Sequence, residues 1–235
     1  MLLLSAAASA ADSAKTDAFN YKVIASVSLT KPFDTTSRWR FVVTQEPDEH
    51  HPDVNLPGLI HLCFVRNDKP DCSTLVGRVI GLDSRGSEIL DQFNTLERAE
   101  VVHLSGKPLL LVSASAYSGG PASSNLTKTL WTYRADMDTF ERVFSHYSFR
   151  NNNEETRLMT RGPLAGDVVV SKAPTAAPYH YSITVYRLSD SGQFVEILNY
   201  TGRTRYGNGD RRAVIDSEMA EILRRLHLSK PGISP

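Results

Sequence analysis

The feature that most constrains this chain is a two-residue rhythm. Apolar and polar residues alternate, or run briefly apolar, in about ten short segments: YKVIASVSL, RWRFVVTQ, LIHLCFVR, STLVGRVIGL, PLLLVSASAY, TLWTYR, FERVFSHY, DVVVSKA, YSITVYRL and QFVEILNY. Each is rich in Val, Ile, Leu, Phe or Tyr, and Gly, Pro, Asn or Asp separates most of them. Successive side chains of a strand point to opposite faces, so this rhythm suits half-buried strands. The chain is expected to be all-β, with helix limited to a turn around SEILDQFNTLE and one short C-terminal segment.

A weak internal repeat narrows the architecture. LWTYRADMDTFERVF and ITVYRLSDSGQFVEIL each carry a strand ending in Tyr-Arg (Tyr133-Arg134 and Tyr186-Arg187), a polar turn, and a strand entered through Phe140 or Phe194. HLCFVRNDKPDCSTL reads as a degenerate third copy, with Phe64 and Arg66 at its strand end. Recurring hairpins suit a small β-propeller, and a β-sandwich or barrel is the competing solution. One β-rich domain over residues 19–232 is expected, because 235 residues suffice for a single core.

The opening MLLLSAAASAADSAK joins a short apolar run to small residues ending in Ala8-Ser9-Ala10, so residues 1–10 read as the remnant of a secretory signal that lacks its basic start. No later segment has the length to cross a bilayer. Twenty-six basic residues balance 26 acidic ones, leaving no field to gather nucleic acid or anionic lipid. Cys63 and Cys72 flank turn residues Asn67, Asp68 and Pro70, a spacing that suits a disulfide across a hairpin in an oxidising compartment. Two sulfurs alone make a poor metal site.

The densest stretch is TRYGNGDRRAVIDSEM, residues 204–219. Gly207-Asn208-Gly209 starts like a dinucleotide fingerprint, but Arg212 stands where its third glycine belongs. No Gly-Lys-Ser/Thr follows to make a phosphate loop, and Arg212 also spoils a calcium loop. No cofactor is implied. The stretch reads as a turn that launches a helix, with Asp216 as its N-cap and Glu218 complementing the first-turn dipole. Met219, Ile222, Leu223 and Leu226 form one apolar face, Arg224, Arg225 and His227 suit the C-terminal end, and Pro231-Gly232 stops the helix.

FRNNNEETR, RGPLAGDVVV and TRYGNGDRRAVIDSEM resemble the C-terminal half of a family of exported proteobacterial proteins, over roughly residues 104–232. Those motifs imply no reaction. More loosely, an exported β-rich chain of this size is similar to periplasmic immunity proteins that neutralise peptidoglycan-degrading toxins, and to lysozyme inhibitors that plug a glycan cleft with a Ser-Gly loop. Ser118-Gly119 of AYSGGPASSN is the match to that loop. The resemblance implies a protein partner and no catalysis.

The candidate chemistry is sparse. No G-x-S-x-G elbow is present, and His103, His146 and His180 stand singly near strand ends, which suits surface or satisfied core residues better than a triad. Asp48, Glu49, His50, His51 and Asp53 carry metal-capable groups, but adjacent histidines on a loop lack the spacing of a helical zinc motif, so no metal is expected. Glu154 and Glu155 could serve a glycan hydrolase, yet neighbours on a strand point apart. Two loops remain as partner-binding candidates: Tyr117, Ser118, Gly119 and Gly120 within residues 113–125, and Asn151, Asn152, Asn153, Glu154, Glu155 and Arg157, close to Arg150. Loops carried on a rigid scaffold are the usual place for recognition. The expectation is an exported, periplasmic, non-enzymatic binding protein, an immunity protein or hydrolase inhibitor, with an envelope glycan hydrolase and a structural envelope protein as alternatives.

Overall fold

The computed structural model describes residues 20–51, 54–74, 76–82, 88–116, 125–149, 153–174, 177–206 and 214–228. Three four-stranded antiparallel sheets, two two-stranded hairpins and two helices are formed there, so the all-β expectation holds. The chain separates into two compact units. Unit 1 takes the described residues up to Val102 together with Pro108–Tyr147, and unit 2 takes His103–Lys107 with the described residues from Ser148 onward.

Unit 1 opens with β1 (Lys22–Ser28), a one-turn helix α1 (Thr30–Phe33) and β2 (Trp39–Gln45). The small hairpin β3 (Glu49–His51) and β4 (Val54–Leu56) leads into β5 (Ile60–Arg66) and β6 (Lys69–Thr74), completing a sheet of order β1-β2-β5-β6. A second hairpin, β7 (Val76–Leu82) and β8 (Glu88–Gln92), precedes the sheet formed by β9 (Thr95–Leu104), β10 (Lys107–Ala116), β11 (Asn125–Arg134) and β12 (Thr139–Phe149). The apolar run of β10 is buried from Leu109 to Ala116, as a central strand covered on both faces must be.

The unit 1 core draws Leu29, Trp39, Phe41, Val43, Ile60 and Leu62 from the first sheet's segment and Leu110, Val112, Ala114 and Phe140 from the second. Phe140 is its aromatic hub. Its ring lies 5.0 Å from Phe33, 5.3 Å from Trp39, 5.1 Å from Phe64 and 5.3 Å from Tyr133. Offset and edge contacts at these separations add roughly 0.5–1.5 kcal/mol per pair beyond area burial.

The disulfide is formed. Cys63 and Cys72 face each other across the β5–β6 pair, both buried, with Val42 and Val65 packed around them. The turn between those strands is Asn67-Asp68, each at positive φ (47° and 68°), the conformation that a two-residue hairpin demands and that Asn and Asp tolerate. Pro70 sits in edge strand β6, where no ladder needs its missing N–H.

Apart from the His103–Lys107 turn, unit 2 is a single meander, β13 (Glu155–Leu158), β14 (Asp167–Lys172), β15 (His180–Leu188) and β16 (Phe194–Arg205), followed by α2 (Val214–Arg225). Its core joins Val169, Tyr181, Ile183, Val185 and Tyr200 of the sheet to Val214, Ile215 and Ile222 of α2, with Met219, Leu223 and Leu226 packed at the margin. The apolar face expected for the C-terminal helix is the face that docks. No helix among the described residues is long and apolar enough to cross a membrane.

The recurrent hairpin is a real structural unit. β5–β6, β11–β12 and β15–β16 are each the last two strands of a four-stranded sheet, so the Phe64/Arg66, Tyr133/Arg134 and Tyr186/Arg187 positions all fall at the end of a third strand.

Several local expectations are corrected. SEILDQFNTLE forms no helix: its described residues lie in β8, the Phe93-Asn94 link and the start of β9, because β8 pairs with β7 along its length and tertiary pairing overrides a weak helical pattern. Residues 49–51 are strand β3 rather than loop, and the Glu155–Arg157 stretch is strand β13 rather than loop. Asp216 is the third residue of α2, not its N-cap. The helix also stops before Pro231-Gly232, which lie outside the described residues. His227 adopts φ 56°, and the amides of His227 and Leu228 bond back to the carbonyls of Arg224 and Leu223. This is a Schellman stop with histidine in the usual glycine position.

The loop end of unit 2 as candidate functional site

In an antiparallel meander, the start of β13, the end of β14, the start of β15 and the end of β16 lie at one end of the sheet. The register fixes this, pairing Glu155 with Ser171, Lys172 with Ser182 and His180 with Arg205. The described residues of two sequence motifs, RNNNEETR and TRYGNGDRRAVIDSEM, therefore meet there although they are far apart in the chain. Arg157 makes the join. Its guanidinium forks onto the Asp216 carboxylate, with one N–H at 3.2 Å and the other closer, and its Nε also donates to Glu155 Oε1 at 2.7 Å. Planar forks suit paired carboxylate oxygens. Hydrogen bonding to Arg157 holds the Asp216 carboxyl below its usual range.

Glu154 is also engaged. Its Oε1 accepts the Ala173 amide at 3.0 Å, closing the end of β14, while the Glu155 amide donates to Ser171 Oγ at 3.1 Å. Glu155 Oε2 is buried without a hydrogen-bond partner among the described residues. Asn153 takes a left-handed backbone, φ 53°, at the turn into the strand, and its amide hydrogen-bonds with the Tyr181 hydroxyl. Burial pushes the Tyr181 phenol up, with neighbouring Tyr206 and Glu154 adding to the rise. Tyr181 meets Tyr206 edge-on at 6.2 Å, and the Tyr206 amide donates to the Tyr179 carbonyl. Tyr179 and Tyr206 are exposed, at 55% and 37%. The sheet end thus presents two aromatic faces beside an exposed asparagine.

Behind this surface lies a buried acid. Glu218, only 2% exposed, accepts four hydrogen bonds: Oε1 from the Arg203 amide (2.7 Å), the Thr204 amide (2.8 Å) and Thr204 Oγ1 (2.8 Å), and Oε2 from the Tyr200 hydroxyl (3.0 Å). Burial pushes its carboxyl up, and the four donors more than reverse that, leaving it below its usual range. The same neighbourhood pushes the Tyr200 phenol up, through burial first and then the adjacent Glu218 charge. Gly202 makes room: a Cβ there would lie 2.8 Å from the Glu218 carboxyl carbon. The guanidinium of Arg225 covers the Tyr200 ring at 4.3 Å. Thr204 and Glu218, near the two ends of the glycine-rich motif, are therefore bonded to each other, and α2 is held to the end of β16. Glu218 does not serve the helix dipole from solvent, as the sequence suggested; it faces inward as a clamp.

The remaining sequence candidates fall elsewhere. Tyr117, Ser118, Gly119, Gly120, Arg150, Asn151 and Asn152 lie outside the described residues. His103 is exposed on β9, His146 is half-buried on β12, and His180 begins β15 with Nδ1 buried and without a hydrogen-bond partner among the described residues. Sequence reasoning missed Glu218, Thr204 and Tyr200. A lone glycine within a strand, Gly202, was the available signal that another group approaches closely. Comparison with protein-family models, with curated proteins and with solved structures returned no match, so function is argued from this geometry.

Proposed function

We propose that the chain is an exported, periplasmic, non-enzymatic binding protein that recognises a protein partner at the loop end of the β13–β16 sheet, the partner being a secreted peptidoglycan-degrading hydrolase or toxin. The observation that carries the reading is the exposed pair Tyr179 and Tyr206, joined by a backbone hydrogen bond at the sheet end where the Asn153 side chain meets Tyr181. Tyrosine offers a large amphipathic contact at low entropy cost and is favoured at recognition surfaces. The carboxylates best placed by sequence for glycan chemistry are employed in holding that surface: Glu154 closes β14, and Glu155 shares Arg157 with Asp216. The Cys63–Cys72 disulfide supports an oxidising compartment.

The test is an inhibition assay across purified muralytic enzymes (lysozymes, amidases and transglycosylases), run beside a direct assay of the chain on isolated peptidoglycan. At least one enzyme should be inhibited stoichiometrically. The double variant Tyr179→Ala, Tyr206→Ala should lose inhibition by about 1,000-fold, the scale of two hot-spot truncations, while Glu154→Gln retains it. Release of reducing sugar by the chain itself, abolished in Glu154→Gln, would establish the hydrolase reading instead.

A further inference from the structure

The three repeat arginines do not share one fate. Arg187 forks onto Asp167 through two bonds of 2.8 Å, and Arg134 holds Asp136 at 3.1 and 3.0 Å and Glu141 at 2.9 Å. Both are consumed by acids of their own sheet. The Arg66 guanidinium makes a single hydrogen bond among the described residues, Nη1 to Asp138 Oδ2 at 3.2 Å, and lies over the Trp39 ring at 5.8 Å. The rest of its fork has no hydrogen-bond partner among the described residues, and its side chain is 49% exposed. Directly across the hairpin stands Lys69, exposed, its ammonium without a hydrogen bond or ion pair to another described residue.

Arg66 and Lys69 edge a depression of about 310 Å³ whose apolar lining includes Trp39, Phe64 and the exposed Met137. That volume sits at the small end of the roughly 300–1,000 Å³ typical of ligand sites. Asp138, at the turn between β11 and β12, explains the pose of Arg66. Its carboxylate accepts Trp39 Nε1 at 2.8 Å, the Tyr133 hydroxyl at 2.7 Å and Ser37 Oγ at 2.8 Å. Three neutral donors thus fix it before Arg66 arrives, and these bonds hold its carboxyl far below the usual range. A carboxylate pinned in this way aims the arginine without occupying its outer edge. Asp71 also lines the depression and supplies the one other acidic group there.

The geometry points to this depression as a binding site for a small organic carboxylate on an apolar stem, its oxygens taken by the outer edge of Arg66 and by Lys69 and its stem resting on Phe64, Trp39 and Met137. A fork plus a point charge matches a carboxylate, and an apolar floor rewards a stem. The site lies wholly in unit 1 and is independent of the reading of unit 2.

The experiment titrates the whole protein with 3-phenylpropanoate and, separately, with the isosteric 3-phenylpropanamide, following the Trp39 indole N–H resonance to about 10 mM ligand. The acid is expected to shift that resonance saturably, and the amide to bind at least about ten-fold more weakly, the loss of one charge-assisted contact. Arg66→Gln should reduce the preference for acid over amide, and Lys69→Gln, which disturbs no side-chain bond among the described residues, should weaken the acid alone by several-fold. Equal shifts with acid and amide, no saturable shift with either, or acid binding unchanged in Lys69→Gln and in a folded Arg66→Gln would each overturn the assignment.

Discussion

Replacing Glu218 tests the clamp between α2 and β16 most directly. Three donors converge on Oε1 and one on Oε2, and the carboxylate is 2% exposed. Glutamine keeps the shape. Its carbonyl can take the three-donor position, and its amide can donate to the Tyr200 hydroxyl, which then turns its own proton elsewhere. What is lost is charge assistance, which roughly doubles the strength of such bonds, so Glu218→Gln should cost about 1–2 kcal/mol at pH 7. Alanine is a harsher change. It strands two partly buried backbone amides at about 1 kcal/mol each and leaves a void in place of a buried side chain, so Glu218→Ala should cost about 3–5 kcal/mol.

The pH dependence has a definite sign. Because folding lowers the Glu218 pKa from its ordinary 4.5, the stabilisation is complete above that value and fades as pH falls through the folded value. Glutamine does not titrate. The gap between wild type and Glu218→Gln should therefore narrow on going from pH 7 to pH 3. Both tryptophans, Trp39 and Trp131, belong to unit 1, so tryptophan fluorescence is the wrong probe; hydrogen exchange of the Arg203 and Thr204 amides in urea reports the clamp itself. A Glu218→Gln variant as protected as wild type at pH 7, or a gap that stays constant into acid, would refute the argument.

Gly202→Ala pushes a methyl against the same carboxyl carbon; it should cost about 1–3 kcal/mol by the same exchange measurement and leave unit 1 unaffected. Phe140→Ala removes the ring shared by Phe33, Trp39, Phe64 and Tyr133, an expected loss of about 3–5 kcal/mol read in unit 1 by tryptophan fluorescence in urea. His227→Gly should stabilise the end of α2 by about 0.5–1 kcal/mol, since φ 56° suits glycine better; slower exchange of the Leu226 to Leu228 amides is the check, and faster exchange would contradict the Schellman assignment.

The ladder of strands was legible because strand formation here follows local alternation. PLLLVSASA became the buried β10 and DVVVSK the buried β14. The apolar face of α2 was legible for the same reason, from Met219 to Leu226. The turn chemistry was partly legible: Asn67-Asp68 took the left-handed pair that its composition permits. SEILDQ failed because its state depends on a partner, β7, that local pattern does not name.

The side-chain roles were harder to read for a physical reason that Glu218 and Arg66 share. A residue's position within its own element predicts its neighbours along that element, and so Glu218 reads as a first-turn acid and Arg66 as one more strand-end arginine. Their environments are set across the fold, Glu218 by Gly202 to Thr204 on β16 and Arg66 by Trp39 on β2 and Asp138 in the β11–β12 turn. The repeat narrows that gap. Once β5–β6, β11–β12 and β15–β16 are known to be equivalent hairpins, the acids beside their arginines become comparable, and a difference among them carries information. Asp136 and Glu141 follow Arg134 closely in sequence, and Asp167 pairs with Arg187 in register across β14 and β15, so those two ion pairs are products of local or neighbouring strands. The hairpin of Arg66 supplies no such acid to its fork, and the arginine takes its one carboxylate contact from Asp138, in the turn of another sheet. That is why Arg66, unlike Arg134 and Arg187, keeps most of its fork without a hydrogen-bond partner among the described residues.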